Sequence, residues 1–384
     1  MSFCVAPWKN FCIEPDGFVR PCCYFSHDRN LMPYIENKTI GEIYNSQYFK
    51  DLRNQFLKGE KPDACKRCWD IEKSGDRSHR ISHNSKEEFN ISEFSENAEY
   101  PTRFDLKLSN ICNLKCRNCN GYSSSLIEKE EKKFTKERRN YLLSSKILGT
   151  RNEKEFIDHI NNITFIELTG GEPFVSPENR NLIFKLVELD VAKNIHLAIT
   201  TNGTTFDRKI IENLNQFKRV EIAFSLDDIY ERAEYARHGH SFDNIVENLK
   251  TAINELDSNK IKLRVHNTVG LMNIYYLTEF IEFMEMEFPE ISYGFSPLDT
   301  PAILNVKNLS PRIKSEIFAK LYNESYKLKE IIKYMLSEDT LYCIDHMNAF
   351  LSKMRILDLK RKESFEDTYP EWYTVLEKHL EKHL

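Results

Sequence analysis

The sequence has no long hydrophobic run, no strong excess of one charge and no internal repeat. No apolar stretch in its 384 residues approaches the ~20 residues that a membrane-spanning helix needs. The first residues lack the hydrophobic core of a signal peptide, so we expect a cytoplasmic protein without a membrane partner. The formal net charge is only -5, which gives no overall basic footprint for nucleic acid.

Cysteine, by contrast, is abundant. The chain contains 10 cysteines, and hydrophobic residues make up 41% of it, enough for a globular core and two or three domains. Because thiols inside a cell are kept reduced, this many cysteines favour metal ligation over disulfides. The spacing of the cysteines is therefore the main guide to function.

Three cysteines form the most informative motif of the chain. Cys112, Cys116 and Cys119 have the spacing C-x3-C-x2-C and follow an apolar run at 104–108. Three thiolates on one loop can hold three irons of a 4Fe–4S cluster and leave the fourth iron open to bind and reduce another molecule. The alternatives are a zinc knuckle, which a fourth ligand would normally close, and three unrelated core cysteines.

A Gly-Gly-Glu motif lies one predicted strand further on. The β-type run 163–168 leads to Gly170, Gly171 and Glu172, and glycines at a strand end let the backbone approach a ligand closely. In this order the two motifs resemble the signature of the radical S-adenosylmethionine (SAM) superfamily. The resemblance implies that the three cysteines ligate the SAM-binding cluster and that the Gly-Gly-Glu segment holds the methionyl end of SAM. It also implies that the backbone of Asn118 meets the adenine, at a position that is often aromatic in the family.

Further predicted strands alternate with helical stretches downstream. Together with 104–108 and 163–168, they make six parallel strands and predict an α/β fold, a partial (β/α)6 TIM-like barrel. In barrels of this kind, polar residues at the carboxyl ends of strands face the active site. The resemblance then makes Asn202, Ser225 and Asp227 candidates for binding the ribose hydroxyls. The four additional strands are 195–200, 220–224, 261–265 and 291–295.

A second group of cysteines lies near the N-terminus. The pair Asp16-Gly17 predicts a hairpin turn, and a cysteine-bearing hairpin followed by a C-x2-C pair is typical of a metal site. The spacing resembles the twitch/SPASM auxiliary-cluster domains of radical SAM enzymes, and a zinc ribbon is the alternative. The resemblance implies that a second 4Fe–4S cluster is held by Cys4, Cys22, Cys65 and Cys68.

Three cysteines are in surplus to these two sites. We expect Cys12 to pack beside the auxiliary cluster, Cys23 to be able to replace a ligand, and Cys343 to be a small buried hydrophobic residue. Any of the three is also a candidate hydrogen-atom donor to a substrate radical. The sequence points to no other catalytic residue.

The chain divides into four predicted segments. They are a small cysteine-rich hairpin domain at 1–75, a linker at 76–100, the partial barrel at 101–305 with a charged helical insertion at about 121–160, and a helical C-terminal region at 306–384.

The resemblance to the radical SAM superfamily also implies an activity. It implies reductive cleavage of SAM to a 5′-deoxyadenosyl radical, hydrogen abstraction from a peptide or small polar substrate, and an electron donor such as flavodoxin or ferredoxin. Oxidation, cross-linking and epimerisation all begin in this way. The alternative function is a non-catalytic zinc or iron–sulfur module that contacts nucleic acid or a protein partner.

Overall fold

The chain is represented by a computed structural model that describes residues 2–26, 28–73, 75–86, 88–132, 147, 152–337 and 344–380. Its centre is an eight-stranded sheet, beside which two short strands pair separately. The ten strands are β1 (Asn10–Ile13), β2 (Val19–Arg20), β3 (Arg103–Leu106), β4 (Lys115–Cys116), β5 (Phe165–Leu168), β6 (His196–Thr201), β7 (Arg219–Ser225), β8 (Arg237–His238), β9 (Ile261–Val269) and β10 (Ser292–Pro297).

Helices separate the strands and make up the C-terminal region. They are α1 (Ala6–Lys9), α2 (Ile40–Tyr44), α3 (Gln47–Leu57), α4 (Lys66–Lys73), α5 (His79–Asn84), α6 (Ser125–Lys132), α7 (Asn152–Asp158), α8 (Pro177–Glu188), α9 (Arg208–Leu214), α10 (Tyr230–Ala236), α11 (Phe242–Glu255), α12 (Leu277–Glu287), α13 (Pro311–Leu321), α14 (Lys329–Leu336), α15 (Ile344–Arg361), α16 (Phe365–Thr368) and α17 (Pro370–Leu380).

The main sheet runs in the order β10-β9-β7-β6-β5-β3-β1-β2. All neighbouring strands are parallel except β1 and β2, which form the predicted hairpin. The six predicted parallel strands are all present, so the α/β partial-barrel prediction is confirmed. The structure adds β1 as a further parallel strand that pairs with β3 and places Cys12 opposite Asp105.

Strand alternation gives the sheet one apolar and one polar face. Phe104 and Leu106 of β3 are fully buried against the helices, whereas Asp105 between them is on the opposite face. The same alternation occurs in β5, where Ile166 and Leu168 are buried and Glu167 is on the opposite face. We call this polar side the inner face, because its side chains line the cavities described below.

The N-terminal segment contributes to the main core. Phe11, Ile13 and Val19 of the hairpin belong to the same hydrophobic cluster as the barrel strands. The segment 76–100 contains α5, and the Trp8 indole donates a hydrogen bond of 2.6 Å to the carbonyl of Ser95 within it. Hence the hairpin is continuous with the sheet of the barrel, and the expected linker packs against the first helix.

Two predictions fall partly outside the described residues. Of the insertion at about 121–160, the structure describes α6, α7 and the residues next to them, and 133–146 and 148–151 lie outside it. The C-terminal region is helical as predicted, although 338–343 and 381–384 are likewise outside. Within the described ranges, none of the helices combines the length and the apolar character needed to cross a membrane.

Candidate active site

The three-cysteine loop connects β3 to α6 and is folded back on itself by side-chain hydrogen bonds. Asn110 Nδ2 donates to the carbonyl of Gly121 and to Glu128 Oε2, both at 3.0 Å. Ser124 Oγ donates to the carbonyl of Leu114 at 2.7 Å. Inside the loop, β4 pairs with β8, which places Cys116 opposite Arg237. The loop is therefore anchored at both ends and in its middle.

Arg237 supplies a positive charge beside the thiols. Its Nη2 lies 2.8 Å from Asp227 Oδ2, and its Nη1 lies 4.0 Å from Cys116 Sγ. Burial raises the pKa of the Cys112 thiol to about 11 and that of Cys116 to about 12, and the guanidinium opposes this rise. A cation at this position stabilises the thiolate form that binds metal. No sequence motif marked Arg237 as a site residue.

The Gly-Gly-Glu segment packs directly against the cysteine loop. Gly170 and Gly171 have φ values of +74° and +55°, which favour glycine. A Cβ on Gly171 would lie 2.4 Å from the carbonyl oxygen of Ile111, in the cysteine loop. The backbone N–H of Glu172 donates to that same carbonyl at 2.8 Å. The glycines therefore let the Gly-Gly-Glu segment approach the cysteine loop closely.

The Glu172 side chain joins the ends of two strands. Its buried carboxylate accepts hydrogen bonds from Thr201 Oγ1 at 2.6 Å, the N–H of Asn202 at 2.5 Å and the N–H of Phe174 at 3.1 Å. Burial raises its pKa to about 7, against the effect of these donors. The carboxylate is thus occupied within the protein, and the backbone of this segment is the part available to a ligand.

A cavity of about 310 Å³ lies where the cysteine loop meets the carboxyl ends of the strands. We call it the upper cavity. Asp227 is buried beside it, where it pairs with Arg237 and accepts a hydrogen bond of 3.3 Å from Asn118 Nδ2. The upper cavity is lined by nine of the predicted site residues, Cys112, Cys116, Asn118, Cys119, Gly170, Gly171, Glu172, Asn202 and Ser225.

Glu14, Lys107 and Tyr122 are among the other residues of the upper cavity that were not predicted from the sequence. Lys107 Nζ lies 2.8 Å from Glu14 Oε1, and the Tyr122 hydroxyl donates to Glu14 Oε2 at 2.9 Å. Burial opposes the charge on Glu14, but Lys107 and Arg20 outweigh it and lower its pKa to about 2. Arg103, Asp105 and Lys107 are charged residues at every second position along β3 and just after it. This pattern could have identified the inner face from the sequence, because strand side chains alternate between faces.

Of the four N-terminal cysteines, Cys4 belongs to an apolar cluster, and Cys22 and Cys65 pack against it. Burial, together with the neighbouring thiols of Cys65 and Cys68, raises the pKa of Cys4 to about 12. The thiol of Cys22 is likewise influenced by Cys4 and Cys68. Four sulfur donors of this kind, packed among the rings of an aromatic cluster, suit an iron–sulfur cluster or zinc.

Of the surplus cysteines, two face a second cavity. Cys12 and Cys23 line a space of about 230 Å³ on the inner face, and Cys23 Sγ lies 3.6 Å from His79 Nδ1. We call this space the lower cavity. Cys343 lies outside the described residues.

Comparison with protein families agrees with this geometry. Residues 106–284 match the model of the radical SAM superfamily, and residues 4–69 match that of SPASM, the iron–sulfur cluster-binding domain. The chain belongs to the radical SAM superfamily, is a radical SAM enzyme and carries its SPASM domain before the barrel. Its cofactors are SAM, the SAM-binding 4Fe–4S cluster and an auxiliary iron–sulfur cluster. The sulfur donors and the glycine cradle are the chemical groups that these cofactors need, and within the described residues no three His, Cys, Asp or Glu side chains are already arranged to hold a metal ion.

The chain is also similar to individual proteins. It is 24% identical over 173 residues to the AdoMet-dependent heme synthase of Methanosarcina barkeri, covering 44% of this chain and 43% of that one. It is 30% identical over 177 residues to the mitochondrial GTP 3′,8-cyclase of Arabidopsis thaliana, covering 46% and 42%. The chain thus spans less than half the length of each. The structure of Streptococcus suis SuiB bound to S-adenosylmethionine aligns with a TM-score of 0.40 and 14% identity, covering 74% of this chain and 60% of that one.

Proposed function

We propose that this enzyme cleaves SAM reductively in the upper cavity and abstracts a hydrogen atom from a peptide or a small polar substrate. The observation that carries the proposal is that the three thiols of the cysteine loop share one cavity with the Gly170–Gly171 cradle. When bound, the cluster and SAM supply the one-electron chemistry that yields a 5′-deoxyadenosyl radical.

The residues around the upper cavity bind and orient these groups. Cys112, Cys116 and Cys119 hold three irons, and Arg237 offsets the negative charge of their thiolates. The backbone of the Gly-Gly-Glu segment binds the methionyl end of SAM. The remaining polar groups bind the nucleoside. Asn118 serves the adenine, and Asn202, Ser225 and Asp227 serve the ribose. Asp227 is buried beside the cavity and acts through its contacts with Arg237 and Asn118.

The auxiliary cluster belongs to Cys4, Cys22, Cys65 and Cys68 in this proposal. Zinc is the alternative that four sulfur donors leave open, and an iron count distinguishes the two. Oxygen-labile clusters fit the reducing cytoplasm, where flavodoxin or ferredoxin would supply the electron.

The inner face favours a polar substrate. Its side chains include the Glu14–Lys107 ion pair at the upper cavity and the acids Asp105 and Glu167 at the lower one. Two relatives are named for heme synthesis and for GTP cyclisation, which supports a small-molecule substrate as readily as a peptide. Cys12 and Cys23 face the same side and are candidate hydrogen-atom donors to the product radical.

The proposal is tested by SAM cleavage. Anaerobically reconstituted, reduced protein should form 5′-deoxyadenosine and methionine, measured by chromatography. Cys116→Ala should abolish both products, because the cluster loses one of its three ligands. Cys12→Ala is the matched control: it removes a thiol outside the upper cavity and should leave cleavage unchanged. Wild-type protein with full iron that forms no 5′-deoxyadenosine would contradict the proposal.

A further inference from the structure

The lower cavity lies one layer of side chains below the upper one. Its lining includes Cys12 of β1, Asp105 of β3 and Glu167 of β5. The residues two positions later in the chain, Glu14, Lys107 and Thr169, line the upper cavity. Two residues of a strand span about 6.6 Å, and their side chains point to the same face. The two cavities are therefore stacked along the same three strands.

Two carboxyl groups lie side by side in the lower cavity. Asp105 and Glu167 are direct neighbours in the parallel register of β3 and β5, so their backbones are about 4.8 Å apart. Burial raises the pKa of both groups, and the repulsion between the two carboxylates raises that of Glu167 further, to about 7. Among the described residues, Asp105 Oδ1 is buried and accepts no hydrogen bond from a nitrogen or oxygen donor, while the Cys12 thiol hydrogen-bonds to the same carboxyl group. Because leaving a buried acceptor without a donor is unfavourable, a bound donor would be stabilised here.

Basic side chains also lie near these acids: Lys86 and Arg103 line the lower cavity, and the charges of Lys86 and Lys107 oppose the rise in the pKa of Glu167. Lys107 reaches up to Glu14, as described above, and the Lys86 ammonium lies 4.9 Å from the centre of the Phe165 ring. Arg103 begins β3, two residues before Asp105. None of these cations donates to Asp105 Oδ1 within the part of the chain that the structure describes.

We propose that the lower cavity binds a protonated amine or guanidinium group of the substrate between Asp105 and Glu167. A cationic donor satisfies the unpaired oxygen, neutralises the repulsion between the two acids and forms charge-assisted hydrogen bonds. A cavity of about 230 Å³ accommodates an alkylammonium chain such as a lysine side chain or a small free amine. This assignment rests on the proposed function in one respect, because it places the bound group next to the cavity where the radical forms.

The test is calorimetric titration of the anaerobic holoenzyme with SAM present and no reductant, at pH 8. The probe is n-butylamine, and 1-butanol is its neutral counterpart of similar size. We expect butylamine to bind at least about tenfold more tightly than butanol, the difference that one charge-assisted hydrogen bond supplies. This comparison needs no variant and so does not depend on the folding of one.

Variants then locate the binding site. Asp105→Asn and Glu167→Gln should each weaken butylamine binding at least about tenfold. Glu221→Gln is the matched control: Glu221 belongs to β7, does not line the lower cavity and is held 2.7 Å from Arg219, so binding should be unchanged. Equal affinity for butylamine and butanol, or wild-type affinity in Asp105→Asn, would overturn the proposal.

Two further measurements complete the test. One distinguishes a peptide side chain from a small free amine, and the other separates the amine-site proposal from the proposed function. Tighter binding of N-acetyl-lysine amide than of butylamine would support a peptide side chain as the ligand, and the reverse order would support a small free amine. SAM cleavage is measured on the same samples after reduction. Amine binding without SAM cleavage would contradict the proposed function and leave the amine site standing.

Discussion

At the scale of single residues, two glycines and one arginine determine how the cysteine loop meets the strand ends. Gly170 and Gly171 allow contact between the loop and the Gly-Gly-Glu segment, and Arg237 places a guanidinium beside Cys116. The cysteine loop could be recognised in the sequence because its spacing motif is local in the chain. Arg237 could not, because it reaches the loop through the pairing of β4 with β8, more than a hundred residues apart.

Gly171→Ala tests how closely these segments are packed. The new Cβ would lie 2.4 Å from the carbonyl oxygen of Ile111, and a φ of +55° disfavours any side chain. We expect the loop to shift and the iron bound by its cysteines to be lost, measured as iron per chain. Gly294→Ala is the control, since a Cβ there has no atom within 4 Å. Full iron in Gly171→Ala would show that the loop can move without losing its cluster.

His83 gives a prediction about pH. Burial, reinforced by nearby Lys86, lowers its pKa to about 3 in the folded protein. A base with a lowered pKa stays neutral when folded but takes up a proton when unfolded, so stability falls as the pH drops below ~6.5. Between pH 7.5 and 5.5 this loss is on the order of 1 kcal/mol.

The pH prediction is checked with His83→Gln, which removes the titrating ring. The stability lost by the wild type between pH 7.5 and 5.5, followed by thermal melting under anaerobic conditions, should exceed that lost by the variant. Parallel curves for the two proteins would mean that His83 already titrates normally in the fold.

At the scale of elements, the C-terminal helices hold the back of the cysteine loop. Arg117 of the loop is fully buried, 2.8 Å from Asp358 Oδ1 and 2.5 Å from Glu363 Oε2. Arg361, at the end of α15, donates to the carbonyl of Lys115 at 3.0 Å. The helical nature of this region could be predicted, but its contact with the loop could not, because these ion pairs span more than 240 residues.

Removing both carboxylates should release this contact. In the double variant Asp358→Asn, Glu363→Gln the Arg117 guanidinium stays buried without a counter-charge, which costs about 3–5 kcal/mol. We expect a lower melting temperature and a loss of iron from the loop. Asp76→Asn is the matched control, because its partner Lys333 is exposed and solvent screens such an ion pair. Equal melting temperatures for the two variants would exclude a role for the C-terminal helices in holding the loop.

The strands could largely be placed from the sequence because each alternates or clusters apolar residues over several positions. The prediction 261–265, for example, is the first part of β9, which continues to Val269. The role of β1 could not be foreseen. Its four residues are all buried, which is compatible with a two-stranded hairpin as well as with a strand of the parallel sheet. Its parallel partner β3 lies some ninety residues away.

At the scale of the whole molecule, the auxiliary domain and the barrel share one sheet. Deleting residues 1–75 would expose the edge of β3 and remove Phe11, Ile13 and Val19 from the main core. Since an unpaired edge strand and lost core residues both favour aggregation, we expect the truncated chain to be insoluble or to lack a cooperative melting transition.

The cysteine variant Cys65→Ala, Cys68→Ala is the control for this truncation. It removes two of the proposed ligands of the auxiliary cluster and leaves β1 in the sheet, so the barrel should stay folded. It should keep slow SAM cleavage with roughly half of the ~8 irons of two complete clusters. A soluble, cooperatively folded truncation would show that the barrel does not need β1.

The proposed function requires that the iron left open by Cys112, Cys116 and Cys119 binds SAM directly. Electron–nuclear double resonance of the reduced protein with SAM carrying ¹⁵N in its amino group measures this contact. We predict a ¹⁵N hyperfine coupling to the reduced cluster in the wild type and in Cys65→Ala, Cys68→Ala, and its absence in Cys116→Ala. An uncoupled nitrogen in wild-type protein with both clusters filled would contradict the account.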